Sequence, residues 1–406
     1  MKKIVGILGA AVMLASSVFA ADMAAKVYMT GNVAGRTFNG DATEAYFWNL
    51  TKQDQKDADA LVISTNGDKS GANFQFWYNY DGSGSANLVV RSTNLWFKPI
   101  DMVKVTVGDL SVGTYKEMID WWKVAVGNSA SAHDGWSNGG RWSSYATVEA
   151  AGLNVEVTPI SGLTLSAGIA PGAGNNGLTF TKDSFSYAAW GALAQYDLSG
   201  LTGLPVSAAV SWRDSGKDGY KILAVGGDYG SKWSDGFYGF LNARFFFEDL
   251  SYSKEDTTVA TPQIYTWSAK SALTGIALDN YAKYQHGALK VAVRAPVTIR
   301  LVKDFVGGGK KASDWGYAVK DPSYLCYEIK VTYGLGAYTP YLDIENDNAV
   351  TFDSDFGTKL LKMAIQPGVS FNVGSCSIDV GVNVDLSSAK DGKIGWSVPF
   401  QLGVAF

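Results

Sequence analysis

Apolar and polar residues alternate along much of this chain, most clearly at its carboxyl-terminal end. In the last eleven residues every second position is apolar: Trp396, Val398, Phe400, Leu402, Val404 and Phe406. A repeat of two residues is the repeat of a β-strand with one apolar face. A tilted strand of this length can cross a bilayer.

The same alternation recurs in many segments, with no helical repeat between them, which predicts an all-β chain. We predict eighteen strands, with sixteen as the alternative because residues 35–70 are the hardest to assign. The predicted strands are residues 26–34, 58–65, 72–80, 87–97, 103–109, 144–157, 163–169, 184–196, 204–212, 220–229, 236–247, 283–294, 297–304, 323–333, 337–344, 360–373, 376–385 and 394–406. So many alternating strands in one chain favour a transmembrane antiparallel β-barrel.

The predicted connections are of two kinds. Short connections lie at residues 98–101, 158–162, 295–296, 334–336 and 374–375, and two of them share a Pro-Ile pair that predicts a repeated hairpin. Longer polar stretches lie at residues 111–143, 171–182, 249–281, 307–321, 345–358 and 387–393. Short periplasmic turns at one rim and long extracellular loops at the other are typical of outer-membrane barrels.

Residues 1–20 have the pattern of a secretory signal peptide. Lys2 and Lys3 precede an apolar run that ends in a small-residue cleavage site at Ala20. We therefore predict an exported protein with a single barrel domain over residues 21–406. Removing both lysines changes the formal net charge from −4 to −6. A nucleic-acid partner is not expected, because such partners need a basic excess.

Composition supports this interpretation but leaves an alternative open. Charged residues make up 18% of the chain, and there are 13 Trp, 21 Tyr and 46 Gly residues. Few charges and many aromatic residues suit a barrel with aromatic girdles at the membrane interfaces. A secreted β-sandwich or lectin-like protein would also have this composition.

Candidates for catalysis or metal binding are few, so we expect no enzyme, no cofactor and no metal site. His133 and His286 are the only histidines; His133 lies in a Gly/Ser-rich stretch and His286 near the start of a predicted strand, and we expect neither to be catalytic. Residues 172–177 match GxGxxG, but a strand-like segment follows where the dinucleotide motif needs a helix. Cys326 and Cys376 have no metal-ligand spacing, and the predicted register places them at opposite rims, so we expect no disulfide between them.

An acidic stretch has the oxygen ligands that calcium prefers. Its spacing is not that of an EF-hand, and we interpret it as a solvated surface loop; it comprises Asp343, Glu345, Asp347, Asp353 and Asp355.

If the apolar positions of the strands face lipid, their polar neighbours face the lumen. The charged residues in this phase are the predicted pore-lining set: Lys104, Glu156, Arg244, Lys290, Arg294, Arg300, Glu328, Lys330, Asp343, Lys362 and Asp379. Seven of the eleven are basic, and Lys290, Arg294 and Arg300 fall on two adjoining predicted strands. The set predicts a mild preference for anions, and ordinary salt bridging within the lumen explains it equally well.

The signal peptide, the alternating strands, the loop asymmetry and the terminal Phe406 together resemble bacterial outer-membrane porins over the whole mature chain. The resemblance implies passive diffusion of small hydrophilic solutes through a water-filled channel in the outer membrane, in contact with its lipids, and a homotrimer if the chain follows the general porins. It also implies that the barrel-assembly machinery reads the last strand, through Phe400, Leu402, Val404 and Phe406.

In porins a third long loop can fold into the lumen, and residues 111–143 are the third long connection here. The constriction role implied by the resemblance falls on a short aromatic and charged segment, comprising Tyr115, Lys116, Glu117, Asp120, Trp121, Trp122 and Lys123. A loop packed over the mouth of the barrel is the alternative.

Two other functions remain open. The first is a substrate-selective channel for sugars or hydrophobic compounds, since tryptophans in the loops can stack on sugar rings. The second is a surface adhesin or receptor in which the long loops bind host molecules.

Overall fold

The computed structural model describes most of the predicted strands and few of the long connections. The described residues are 22–36, 60–80, 86–109, 151–170, 189–214, 220–230, 234–256, 263–301, 306–307, 310–311, 323–325, 327–346, 350–351, 357, 360–361, 363–386 and 394–405. The signal segment 1–20, the connection 111–143 with His133, the motif 172–177, and Cys326, Lys362 and Phe406 lie outside them.

Nearly all described residues belong to one large antiparallel sheet. Its strands are β1 (Asp22–Arg36), β2 (Ala60–Asn66), β3 (Ser70–Tyr80), β4 (Ala86–Ile100), β5 (Val103–Asp109), β6 (Ala151–Ile160), β7 (Leu163–Ala170), β8 (Ala189–Asp197), β9 (Val206–Asp214), β10 (Tyr220–Tyr229), β11 (Gly236–Asp256), β12 (Gln263–His286), β13 (Leu289–Arg294 and Val297–Arg300), β14 (Tyr324–Leu325 and Glu328–Tyr333), β15 (Tyr338–Asn346 and Val350–Thr351), β16 (Met363–Val373), β17 (Cys376–Gly381 and Asn383–Asp385) and β18 (Gly395–Ala405).

The sheet closes on itself. Each strand pairs with the next, and the last strand, β18, returns to pair antiparallel with β1, from Lys26 opposite Ala405 to Arg36 opposite Trp396. The sheet contains 22 strand segments. Four of the strands are each interrupted into two segments that pair with the same neighbouring strands, so the 22 segments form eighteen strands. A transmembrane barrel of about eighteen antiparallel strands was the predicted fold, and it is confirmed.

The repeated Pro-Ile hairpin is also confirmed. Ile100 lies opposite Val103 and Ile160 lies opposite Leu163, and a register shift precedes each pair at the proline. Proline has no N–H to donate, so the ladder of hydrogen bonds skips it at the end of the strand.

The two rims differ in the way their strands are joined. At one rim the connections are short, including residues 67–69, 101–102, 161–162, 287–288 and 374–375. A hydrogen bond from the Lys69 ammonium to Asp101 joins two of these turns and lowers the pKa of that carboxyl group. Cys376 follows the last of them and is a free, exposed thiol, in agreement with the absence of a disulfide to Cys326. At the opposite rim the strands are separated by longer stretches, such as residues 110–150, most of which lie outside the described residues.

Helix is scarce in the described part of the chain. One short turn of helix, Ser199–Thr202, lies between β8 and β9 at the short-turn rim. The Asp197 carboxylate accepts a hydrogen bond of 2.8 Å from the Ser199 N–H at its start. No helix among the described residues has the length and apolar character that a membrane span requires.

The predicted loop at residues 249–281 is wrong. β11 and β12 pair as far as Asp256 opposite Gln263, well beyond Glu248, where the pairing of β11 with β10 ends. The hairpin therefore extends roughly 25 Å beyond its neighbours at about 3.4 Å per residue. A hairpin arm outside the rest of the sheet does not need an apolar face, so its sequence lacks the alternation that revealed the other strands.

The predicted turn at Ala295-Pro296 is also wrong. The turn is at residues 287–288, and β13 continues through residues 295–296 without a change of register against β12. The two errors cancel in the strand count, because most of β12 was missed and β13 was counted as two strands.

The side chain of Asn280 on β12 bridges the interruption in β13. Its amide donates to the Ala295 carbonyl at 2.6 Å, and its Oδ1 accepts from the Ala295 N–H at 3.0 Å. Asn280 lies opposite Leu241, which is 58% exposed on the outer face of the barrel. Asn280 is polar on an otherwise apolar face because its side chain forms hydrogen bonds with the N–H and the C=O of Ala295.

We expect Asn280→Leu to lower the free energy of unfolding by roughly 1–3 kcal/mol, because buried backbone groups lose their partners. Chemical denaturation of the refolded protein in lipid vesicles measures the change. In a Pro296→Ala background, where the strand regains an N–H, the loss should be smaller. An equal loss in both backgrounds would contradict the bridging role.

Candidate functional site

The two faces of the closed sheet differ in chemistry. Large apolar side chains are exposed on one face, among them Val210, Val225, Leu241, Val293, Ile329 and Leu342. The alternating positions are buried and include small, polar and charged residues, among them Ala209, Ala224, Asn242, Arg294, Glu328 and Asp343. Because the sheet is closed, the buried face is the inner face of the barrel.

Small apolar clusters lie between polar residues on the inner face of β8 to β12. Leu193, Ala209 and Ala224 form one cluster across β8, β9 and β10. Ile222, Phe246 and Ala277 form a second across β10, β11 and β12. Arg244 lies beside the second cluster, with its guanidinium carbon 5.9 Å from the centroid of the Phe246 ring.

The inner face of β12 to β16 carries a row of charges that we call the Arg294 row. Arg294 lies directly opposite Tyr281 on one side and Glu328 on the other, and Glu328 lies opposite Glu345. Residues opposite one another in an antiparallel pair have Cβ atoms about 5 Å apart. Arg294, Glu328 and Glu345 are 6%, 3% and 8% exposed, so this row is almost fully removed from solvent.

A parallel row, the Lys330 row, runs beside it. Lys283 lies opposite Ala292, which lies opposite Lys330; beyond this, Asp343 lies opposite Lys330 and Gln366 opposite Asp343. The two rows are neighbours on the wall, since Glu328 and Lys330 are two residues apart on β14 and Asp343 and Glu345 are two residues apart on β15. Acidic and basic side chains thus balance one another on this part of the wall.

The structure places most of the predicted pore-lining residues on the inner face. Lys104 lies opposite Glu156, with its ammonium 5.2 Å from the centroid of the Trp96 ring. Arg244, Arg294, Glu328 and Asp343 are buried. Asp379 accepts a hydrogen bond from Ser370.

Two details of that set need correction. Lys290, Arg294 and Arg300 lie on one strand, β13, and not on two adjoining strands, because the predicted turn between them is absent. The Arg300 side chain and all of Lys362 lie outside the described part of the chain.

The interpretation of the acidic stretch as a surface loop is wrong for its first two members. Asp343 and Glu345 belong to β15 and are 5% and 8% exposed on the inner wall. Among the described residues, no group of three or more His, Cys, Asp or Glu side chains is arranged to hold a metal ion. His286 ends β12 and is exposed at the short-turn rim.

Several inner-face residues escaped the sequence prediction. Lys283 was missed because the predicted strand over residues 283–294 placed it in the lipid-facing phase. Gln366, Asn383 and Ser397 were missed because the predicted set contains only charged residues, and these three are polar and uncharged. Tyr341 is also absent from the predicted set; it is 6% exposed on the inner wall, where the Gln366 amide donates to its hydroxyl at 3.4 Å.

The last strand has the place expected of it in the barrel. Phe400, Leu402 and Val404 lie opposite Gly31, Met29 and Val27 of β1. The predicted constriction residues 115–123 and the terminal Phe406 lie outside the described residues.

No protein-family model matches the sequence, and no curated protein matches it. Solved structures do match. Pseudomonas aeruginosa OccK2 (OpdF), in complex with glucuronate, has a TM-score of 0.50 at 9% identity, over 95% of this chain and 96% of that chain. Pseudomonas aeruginosa outer membrane protein opdK has a TM-score of 0.48 at 9% identity, over 95% and 99%. A BenF-like porin from Pseudomonas fluorescens Pf-5 has 0.45 at 12%, over 95% and 98%. The likeness to OccK2 is one of fold over almost the whole chain.

We expect Arg294→Gln to lower the free energy of unfolding by roughly 3–5 kcal/mol, because Glu328 and Glu345 stay buried without the guanidinium. Denaturation in lipid vesicles measures the loss. The double variant Arg294→Gln/Glu328→Gln is the control, since it removes a charge of each sign. A double variant less stable than the single variant would mean that the two charges do not offset one another.

Proposed function

We propose that this chain, which has the fold of the porin-like outer-membrane β-barrels, forms a water-filled channel for passive diffusion of small hydrophilic solutes across the bacterial outer membrane. The observation that carries the proposal is a closed ring of eighteen strands with an apolar outer face and charges on its inner face. A barrel of this strand number leaves an aqueous lumen. Charges on the lipid side would each cost roughly 2–4 kcal/mol at mid-membrane, whereas Arg294 and Glu328 on the inner face lie opposite a charge of the other sign.

The proposal includes a route to the membrane. Residues 1–20 serve as a signal peptide, and the barrel-assembly machinery recognises the last strand through Phe400, Leu402, Val404 and Phe406. The pairing of β18 with β1 gives that strand a second role, because it completes the ring. A homotrimer in the plane of the membrane is part of the proposal, as is narrowing of the lumen by the aromatic and charged residues within 115–123.

A mild preference for anions is the finer part of the proposal. Seven of the eleven predicted pore-lining charges are basic, and Lys290, Arg294 and Arg300 lie on one strand, β13. Basic side chains on the wall of a lumen favour the passage of anions. Neutralising these three residues is therefore expected to lower the preference for anions.

Single-channel recording of the refolded protein in a planar lipid bilayer tests the channel itself. We expect large, stepwise, ohmic conductance. Glucuronate, the sugar acid bound in the OccK2 structure, is a suitable solute for measuring permeation. Folded protein without conductance would overturn the proposal and would favour a surface receptor whose long loops bind a partner.

The reversal potential in a salt gradient tests the charge assignment. We expect the triple variant Lys290→Gln/Arg294→Gln/Arg300→Gln to shift it toward lower anion preference, because three basic side chains are removed. Thr332→Ser, a neutral change on the neighbouring strand, is the control. An unchanged reversal potential in the triple variant would contradict the assignment.

A further inference from the structure

Tyr341 on β15 lies over two glycines of the inner wall. It is directly opposite Gly368 on β16, and Gly368 is directly opposite Gly381 on β17. The Tyr341 side chain starts from the inner face, so it can extend either along the wall or into the lumen. At 6% exposure it lies along the wall.

The two glycines make room for the ring. A Cβ atom on Gly368 would lie 2.3 Å from both Cζ and the hydroxyl oxygen of Tyr341, and one on Gly381 would lie 3.0 Å from that oxygen. Neither residue is among the glycines with positive φ, so backbone conformation does not require glycine here. We call the pair the Gly368–Gly381 notch.

Two other groups hold the ring in the notch. The Gln366 amide donates to the Tyr341 hydroxyl at 3.4 Å, and the Lys330 ammonium lies 5.9 Å from the ring centroid. Gln366 and Lys330 both belong to the Lys330 row, on the strands to either side of β15. The ring is thus fixed at its hydroxyl end and approached by a cation at its face.

We propose that the notch keeps Tyr341 flat against the wall and thereby sets the width of the lumen at this level, which makes Tyr341 a residue that determines the size of permeating solutes. The inference rests on the proposed channel function. A side chain that fills the notch forces the Tyr341 ring out of it. The ring then extends into the lumen, because the lumen is the free volume beside the inner wall.

Gly368→Ala is the decisive variant. Its Cβ would lie 2.3 Å from both Cζ and the hydroxyl oxygen of Tyr341, so the ring must move, and 2.7 Å from the Val380 carbonyl oxygen. Gly381→Ala is the milder variant, because its Cβ would meet the Tyr341 hydroxyl at 3.0 Å and the Gln366 side chain at 3.3 Å, which small shifts of those side chains relieve. We expect Gly368→Ala to lower single-channel conductance by roughly a third, since conductance follows the open cross-section, and Gly381→Ala to lower it less. Gly368→Ala should also slow the entry of larger neutral sugars in a liposome-swelling assay.

The matched control keeps the backbone change and removes the ring. Gly368→Ala/Tyr341→Ala should recover the parent conductance and sugar entry. A conductance loss that persists in the double variant would overturn the inference, as would parent conductance in a folded Gly368→Ala variant. If Gly368→Ala does not fold, Tyr341→Trp makes the same test with a ring too large for the notch.

A purely structural role of Tyr341 predicts a different result. Gly368→Ala would then lower the stability to denaturant and leave conductance and sugar entry unchanged, which would also overturn the inference. Failure of the channel proposal is distinguishable, because the parent itself would then fold without conducting, and both proposals would fall together.

Discussion

Closure of the backbone hydrogen-bond ring is the constraint on which the rest of this structure depends. In a bilayer, no water is available for N–H and C=O groups, so a sheet can span it only without open edges. The pairing of β18 with β1 meets that requirement. The ladder of hydrogen bonds is interrupted at the prolines. The Pro-Ile register shifts lie at the short-turn rim. Where Pro296 interrupts β13, the Asn280 side chain forms hydrogen bonds with both the N–H and the C=O of Ala295.

Closure divides the side chains into two populations. Outward positions contact lipid and are apolar. Inward positions do not contact lipid, so they can hold charged side chains. Antiparallel register then brings residues far apart in sequence into rows across the wall. Arg294, Glu328 and Glu345 come from three strands and form one buried row, and Lys330 and Asp343 lie beside it. Small apolar clusters lie on the adjoining strands β8 to β12.

Alternation of residues was sufficient to predict the barrel and the inward phase of residues such as Lys104, Glu328 and Asp343, whereas the strand number came out right because two errors cancelled. It failed where its physical cause is absent. The outer part of the β11–β12 hairpin has no lipid-facing side to keep apolar, and Ala295-Pro296 imitates a turn because proline ends most ladders. The Arg294 row, the Lys330 row and the packing of Tyr341 in the Gly368–Gly381 notch were not predicted. They depend on the register between neighbouring strands, which the sequence of one strand does not determine.

The central claim is that the polar face of the sheet is wet and the apolar face is not, and thiol accessibility tests this claim most directly. Single cysteines would replace Ile329, Lys330, Val331 and Thr332 in a chain with Cys326 and Cys376 changed to serine, reconstituted in liposomes. A charged, membrane-impermeant thiol reagent should label positions 330 and 332 and spare positions 329 and 331. Equal labelling of all four positions, or labelling of 329 and 331 alone, would contradict the account.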